Sequence, residues 1–590
     1  MRVTIATILL CAMVTICRAE PSLPSGYWSE AQSSEILAKV ETIRLAPSLA
    51  TLTEADRAAL PDLFAVGALM QRLYERSRHA EALVAFERLT ALHESLAKPT
   101  STRNLLDLYR LNQGPIATTL DNRREPFLPV APEVPGRNVY PTDASRDEIE
   151  RFLAAHPERR DEVLSERSVV RRATRANLSA DIAALERFAL IRELHPGEME
   201  RLRVLAAQAN GQGFYAVAHP IAYPEEMSQA FALLMKAART LEPADPEFAR
   251  YLRNRARDLV SNDYESGDAS WVTGRFARLN AQLGSYETYD DALFGVKSFH
   301  GMSILLRDEA STEDLRKALG GLQSIEDALP YEPRKRVRDD IPVGVYAVIA
   351  DFGQARGTNT ATILPNDALF SHRYGRTILL RANIMKNPTI FGADERVWRA
   401  ATIEQHAGDL AAEGTFQRTL WHEIGHYLGP DRDRQGRTLD VALEDYADAM
   451  EEMKSDLVSL FALQRMEHPS LRAVQASGIR RTLQNVKPRS DQPYQMMQLV
   501  QFNWFLDRGL LRADSATARL TVDYARYADA VNSLLKEVLQ LQHSGDKAAV
   551  ATFFGNWTTW TPQLHDKLAE RIRAAQGARF RIVRYGALGE

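Results

Sequence analysis

Apolar residues recur along most of this chain at helical spacing. Across residues 29–112, Leu63, Val66, Leu69 and Leu73, then Leu83, Phe86 and Leu89, fall three or four positions apart, as on one face of a helix. Prolines at 126, 129, 132, 135 and 141 exclude regular structure there and mark a connection, after which helical spacing resumes over residues 144–258. The pattern then becomes strand-like. Residues 345–351 and 377–383 are apolar and β-prone, and 360–367 read as a strand followed by a loop. From 387 to about 542 the spacing is helical again, and Phe580–Tyr585 is a candidate last strand. This predicts a mixed α/β protein, predominantly α-helical. Its regions are 20–125 (helical), 126–300 (helical, leading into the strands), 301–340 (a helical insertion), 341–388 (strand-rich), 389–545 (helical) and 546–590 (helices and the last strand).

The first residues follow a different rule. Arg2 precedes an apolar run over residues 3–16 that ends in Cys17-Arg18-Ala19, the layout of a signal peptide at 1–19. Cleavage after Ala19 would start the mature protein at Glu20 and send it to the periplasm or outside the cell. The run is too short to span a bilayer and no comparable one follows, so no stable membrane insertion is expected. Both cysteines, Cys11 and Cys17, lie in this leader, which leaves no disulfide or thiolate ligand for the mature chain. Loss of Arg2 and Arg18 leaves 71 basic against 77 acidic residues, which argues against nucleic acid as a partner. The local basic cluster Arg167, Arg171, Arg172 and Arg175 lacks interleaved aromatics and reads as a solvated face.

One helical stretch carries chemistry. Trp421-His422-Glu423-Ile424-Gly425-His426 contains H-E-x-x-H, which sets two imidazoles one turn apart on one helix face, with Glu423 beside them for a bound water. A catalytic zinc takes three protein ligands and keeps one open position, so a third ligand must come from elsewhere. Residues 440–464 read as one long helix on which Asp448, Glu452, Ser455, Asp456 and Ser459 form a polar stripe. Carboxylates pressed toward a core need a cation or imidazoles as partners. Glu452 is the expected third ligand. Asp456 and Glu451 are expected to accept hydrogen bonds from the outer N–H groups of the two histidines and so fix their tautomers.

Several segments together resemble the dipeptidyl peptidase III family of zinc exopeptidases, in particular its shorter bacterial members, across roughly residues 127–509. They are Asn138-Val139-Tyr140-Pro141, Asp263-Tyr264, Glu287-Thr288-Tyr289 with Phe294-Gly295, Leu364-Pro365-Asn366-Asp367, the zinc helix, and Glu451-Glu452-Met453-Lys454-Ser455-Asp456. The last segment matches the family's second motif, in which the second glutamate ligates zinc; here that is Glu452. The resemblance implies that His422 and His426 are ligands and Glu423 the base. It also implies that Tyr289 steadies the transition-state oxygen, and that Glu287, Asn366 and Asp367 hold the substrate's amino terminus and first backbone groups. The chain departs from the family twice: its first motif is H-E-x-x-H instead of the common H-E-x-x-G-H, and Tyr494 stands where better-known members carry a catalytic histidine.

The implied fold has two lobes around a cleft, a helical zinc lobe and a lobe whose small β-barrel or sheet grips the peptide as an added strand. The implied activity is removal of dipeptides from short peptides with one Zn²⁺ ion. A zinc endopeptidase or oligopeptidase is the alternative, and a peptide-binding protein without turnover a further one.

Overall fold

The computed structural model describes residues 23–121, 123–337, 342–364, 373–375, 377–488 and 493–590. The expected leader at 1–19 therefore lies outside the described residues, as do Asn366 and Asp367. Among the described residues no helix is long and apolar enough to cross a membrane. The chain forms two compact units, one from residues up to 38 with 81–133, the other from 39–80 with 134–590.

The first unit is mainly helical, with one short antiparallel pair, Ile116–Thr118 with Arg124–Pro126, inside the region expected to be helical. Its helix Glu30–Leu37 starts at a capping box, in which Ser29 and Gln32 satisfy each other's backbone N–H groups. Helices Ala82–Ser95 and Thr100–Asn112 pack together through Phe86 and Tyr109, and the Tyr109 hydroxyl donates to the Ala82 carbonyl at 3.0 Å.

The second unit is built on a five-stranded sheet of β1 (Leu279–Ser285), β2 (His300–Arg307), β3 (Val343–Gly353), β4 (Ala361–Leu364) and β5 (Thr377–Arg381), in the order β1-β2-β3-β5-β4. All neighbours are antiparallel except β3 and β5, which run parallel with Ile378 opposite Val343. The sheet is open among the described residues, so the sheet and not the barrel of the expected lobe is found. Among the described residues β4 is an edge strand, paired on one side only, with β5.

Two large cores meet at this sheet. Ile378 and Leu380 of β5 belong to a core with Trp398, Trp421, Met453 and Leu457, whereas Leu379 belongs to one with Val66, Leu234 and Leu252. Burial on both faces explains why β5 is apolar without alternation. The helix Glu54–Arg78 lies close on the second face: a Cβ at Gly67 would fall 2.3 Å from the Phe352 ring of β3.

Several readings of the pattern need correction. The region 389–545, expected to be helical, also holds an antiparallel pair, Leu511–Ala513 with Leu520–Val522. Residues 301–307 belong to β2 and not to a helical insertion, so among the described residues only Glu309–Leu319 and Leu322–Glu326 are helical there. The N-terminal helical region contains a strand, Val40–Leu45, which pairs in parallel with Phe580–Tyr585, the last strand expected from the pattern. The helical stretch after residue 144 is interrupted by an antiparallel pair, Ser168–Arg172 with Phe214–Ala218. The basic cluster lies at this pair, where Arg171 faces Asp181 and Arg172 is held by Asp143 and Glu148.

Candidate metal centre

The H-E-x-x-H sequence occupies the end of helix α1 (Ala412–Gly425), with His426 as its C-cap. The carboxylates come from α2 (Ala447–Arg465). The single helix expected over residues 440–464 is broken: Leu439–Leu443 is separated from α2 by a 3₁₀ turn, with Glu444 at φ 51°. α1 and α2 approach closely because residue 425 is glycine; a Cβ there would fall 2.9 Å from the Ser455 carbonyl oxygen. Lys454, almost fully buried, donates to the Gly425 and Leu428 carbonyls at 2.8 Å each. It thereby supplies a cation to the unsatisfied end of α1.

His422, His426 and Glu452 each offer a ligand atom within 4.8 Å of the others. Nε2 of His422 is 3.2 Å from one Glu452 oxygen and Nε2 of His426 is 3.9 Å from the other. The outward nitrogens are occupied. Nδ1 of His422 lies 2.8 Å from Asp456, and Nδ1 of His426 lies 2.9 Å from Glu451 and 3.0 Å from the Ser455 hydroxyl. Both Nε2 atoms are thus left for an ion. Two imidazoles and a carboxylate at these separations suit zinc, with bonds of about 2 Å.

The surrounding charges are arranged for this. Burial alone would lower the His422 pKa, but Asp456, Glu452 and Glu423 outweigh it and push it up to about 9. Burial would raise Glu451, yet Lys454 and His426 hold it down to about 2. Asp456 is likewise held far below the carboxylate range despite burial, by Arg481, His422 and Arg418. Glu423 is half-buried and has no hydrogen-bond or ion-pair partner among the described residues.

Two cavities adjoin the triad. The first, of about 370 Å³, is lined by Glu287, Tyr289, Arg381 and Tyr494 together with Ala361 and Thr362 of β4. Tyr289 is 68% exposed and Tyr494 51%. The Tyr494 hydroxyl, carried by the helix Pro493–Asp507, donates to Glu452 at 3.3 Å, which ties this cavity to the triad. Arg381 of β5 lies buried across the sheet, donating to Thr362 on β4, Gln282 on β1 and Ser303 on β2 at 2.9, 3.0 and 3.2 Å. The second cavity, of about 250 Å³, contains His422, Glu423, Arg418 and Arg481 and reaches Thr360, the residue preceding β4.

No family model matches the chain. Nudix hydrolase 3 of Arabidopsis thaliana is 26% identical over 458 residues, a match covering 74% of this chain but 56% of the plant protein, so the chain spans about half the length of that curated relative. Two solved structures match nearly end to end. The DPP III of Caldithrix abyssi superposes with a TM-score of 0.78 at 22% identity, covering 94% of this chain and 99% of its own. This chain has the dipeptidyl-peptidase III fold. The dipeptidyl-peptidase III of Corallococcus sp. strain EGB agrees, at a TM-score of 0.72 and 23% identity, covering 95% and 98% of the two chains.

Within the dipeptidyl-peptidase III fold, the residues that the sequence singled out sort into two groups. His422, Glu423, His426, Glu451, Glu452 and Asp456 gather at the centre, and Glu287, Tyr289 and Tyr494 line the adjoining cavity. Arg381, Arg418, Lys454 and Arg481 were missed. Only Lys454, inside the second motif, carried a sequence signal; the others are ordinary basic residues on segments distant in sequence.

Proposed function

We propose that this protein is a zinc-dependent peptidase that removes dipeptides from the free amino terminus of short peptides. The observation that carries this reading is the His422-His426-Glu452 group with Glu423 beside it, adjoining a cavity that holds Glu287, Tyr289 and Tyr494. His422, His426 and Glu452 would hold the zinc, which when bound supplies Lewis acidity toward a water and toward the scissile carbonyl. Glu423 takes a proton from the attacking water and delivers it to the leaving amine as the C–N bond breaks. Tyr289 and Tyr494 donate hydrogen bonds to the oxygen that gains charge at the carbonyl, an interaction worth about 10²-fold in rate. The Glu287 carboxylate pairs with the substrate ammonium, and Asn366 and Asp367 are assigned to its first backbone groups. The edge of β4 that is unpaired among the described residues, with Ala361 and Thr362 bordering the first cavity and Thr360 just before it bordering the second, suits an extended peptide added as a sixth strand.

Peptides of graded length, free or N-acetylated, test this by mass spectrometry of the products. Free peptides should release their N-terminal dipeptides, and acetylation, which removes the ammonium charge, should suppress cleavage. Internal cleavage of acetylated peptides at similar rates would replace this reading with an endopeptidase. We also propose export with cleavage after Ala19. N-terminal sequencing should return Glu20; recovery of protein beginning at Met1 would refute it.

A further inference from the structure

The second cavity holds an arginine whose recognition capacity is unspent. Nε of Arg481, on helix α3 (Leu471–Thr482), donates to both oxygens of Asp456 at 2.9 and 2.8 Å, yet its two terminal nitrogens bond to no described residue. The side chain is partly exposed and borders the cavity. The deeper Arg418 is spent, its three nitrogens donating to Ser477, Asp456 and Thr419. Of the carboxylates there, Asp394 is held by Arg480 at 2.7 Å, while Glu423 and Glu452 attract Arg481 electrostatically without a hydrogen bond to its terminal nitrogens. An arginine anchored through Nε, with its terminal amino groups open, is a carboxylate receptor. Met385, Ile390 and Phe391 supply an apolar wall for the methylenes that would carry such a group.

We propose that this cavity receives the residue that follows the cut, and that Arg481 is a specificity-determining residue that selects a carboxylate there. The carboxylate is either an Asp or Glu side chain or, in a tripeptide, the C-terminal group. This rests on the peptidase reading above. The amine belongs with Glu287 in the first cavity, residues 360–362 run from the second cavity to the first, and the triad lines the second through His422 and is linked to the first by the Tyr494 hydroxyl bonded to Glu452. A peptide anchored by its amine and cut at the triad therefore carries its third residue into the cavity of Arg481.

The test is calorimetric titration of the zinc-loaded Glu423→Gln protein. One pair of tetrapeptides differs only at the third residue, Glu against Gln; one pair of tripeptides has a free or an amidated C-terminus. The anionic member of at least one pair should bind about tenfold more tightly, as a hydrogen bond to a charged group allows, and the pair that responds identifies the source of the carboxylate. Adding Arg481→Met should bring the ratio to about one, with zinc content measured alongside because Asp456 loses a partner. Arg481→Lys, which keeps a cation there, should retain part of the preference and carries the test if the methionine variant does not fold. No anionic preference in either pair, or one undiminished by both substitutions, overturns the proposal. If the unsubstituted protein releases dipeptides but no preference is found, the subsite fails and the peptidase reading stands. If the preference is found but no dipeptide is released, the carboxylate site stands and the peptidase reading fails.

Discussion

Gly425 rests directly on Ser455, with so little space that a Cβ would fall 2.9 Å from the Ser455 carbonyl oxygen and 3.0 Å from its Cα. Both contacts are backbone, which no rotamer change relieves. Gly425→Ala should therefore part α1 from α2 and carry His422 and His426 away from Glu452. The expected result is a loss of about 1–3 kcal/mol in stability together with weaker zinc binding, read by thermal melting and metal titration. An unchanged metal affinity would show that the two helices do not set the ligand geometry.

Removing a ligand and removing the base should separate cleanly. His422→Ala, His426→Ala and Glu452→Ala should each yield protein without stoichiometric zinc, whereas Glu423→Gln should keep the metal and lose most turnover. Elemental analysis beside peptide assays makes the comparison. Stoichiometric zinc in Glu452→Ala would move the third-ligand assignment to Glu451 or Asp456.

Asp456 is shared by His422, Arg418 and Arg481, so one carboxylate orients an imidazole and neutralises two guanidinium groups. Asp456→Asn should reduce metal affinity or activity by about 10 to 100-fold and also lower stability, since it leaves the buried Arg418 and the partly exposed Arg481 without their anion. Competition with a chelator measures the first and denaturant unfolding of the metal-free protein the second.

Far from the centre, Asp56 completes the capping box of helix Glu54–Arg78 with Thr53 and pairs with Arg278. Burial raises its pKa, but Arg278 and the Thr53 donors outweigh that and hold it below its ordinary 3.8. A depressed carboxylate stabilises the fold above its unfolded pKa, and the contribution is lost as pH falls through the folded value. Asp56→Asn should cost about 1–2 kcal/mol near neutrality, a difference that shrinks in acid. Denaturant midpoints of both proteins across that range provide the check.

The centre was legible because its spacing is local: two histidines one turn apart, and carboxylates at helical intervals on a second segment. The outer parts were not. Arg418 and Arg481 meet at Asp456 only after three helices pack, and neither has a local pattern that marks it. The apolar run after His300 fits a buried strand as well as a helix, and pairing with β1 and β3 settles it. Val40–Leu45 acquires its strand partner more than 500 residues later. The break before α2 falls at Glu444, a non-glycine residue in left-handed conformation that no glycine or proline announces.

The placement of β5 between two cores has a consequence for how the second unit comes apart. Its consecutive side chains Ile378, Leu379 and Leu380 are shared out to opposite cores, and its main chain is hydrogen-bonded on both sides. Neither core can melt alone without stripping this strand of half its neighbours. Amide protons at these positions should thus exchange with solvent only through the rarest, global openings, and the two cores should lose their protection at one temperature.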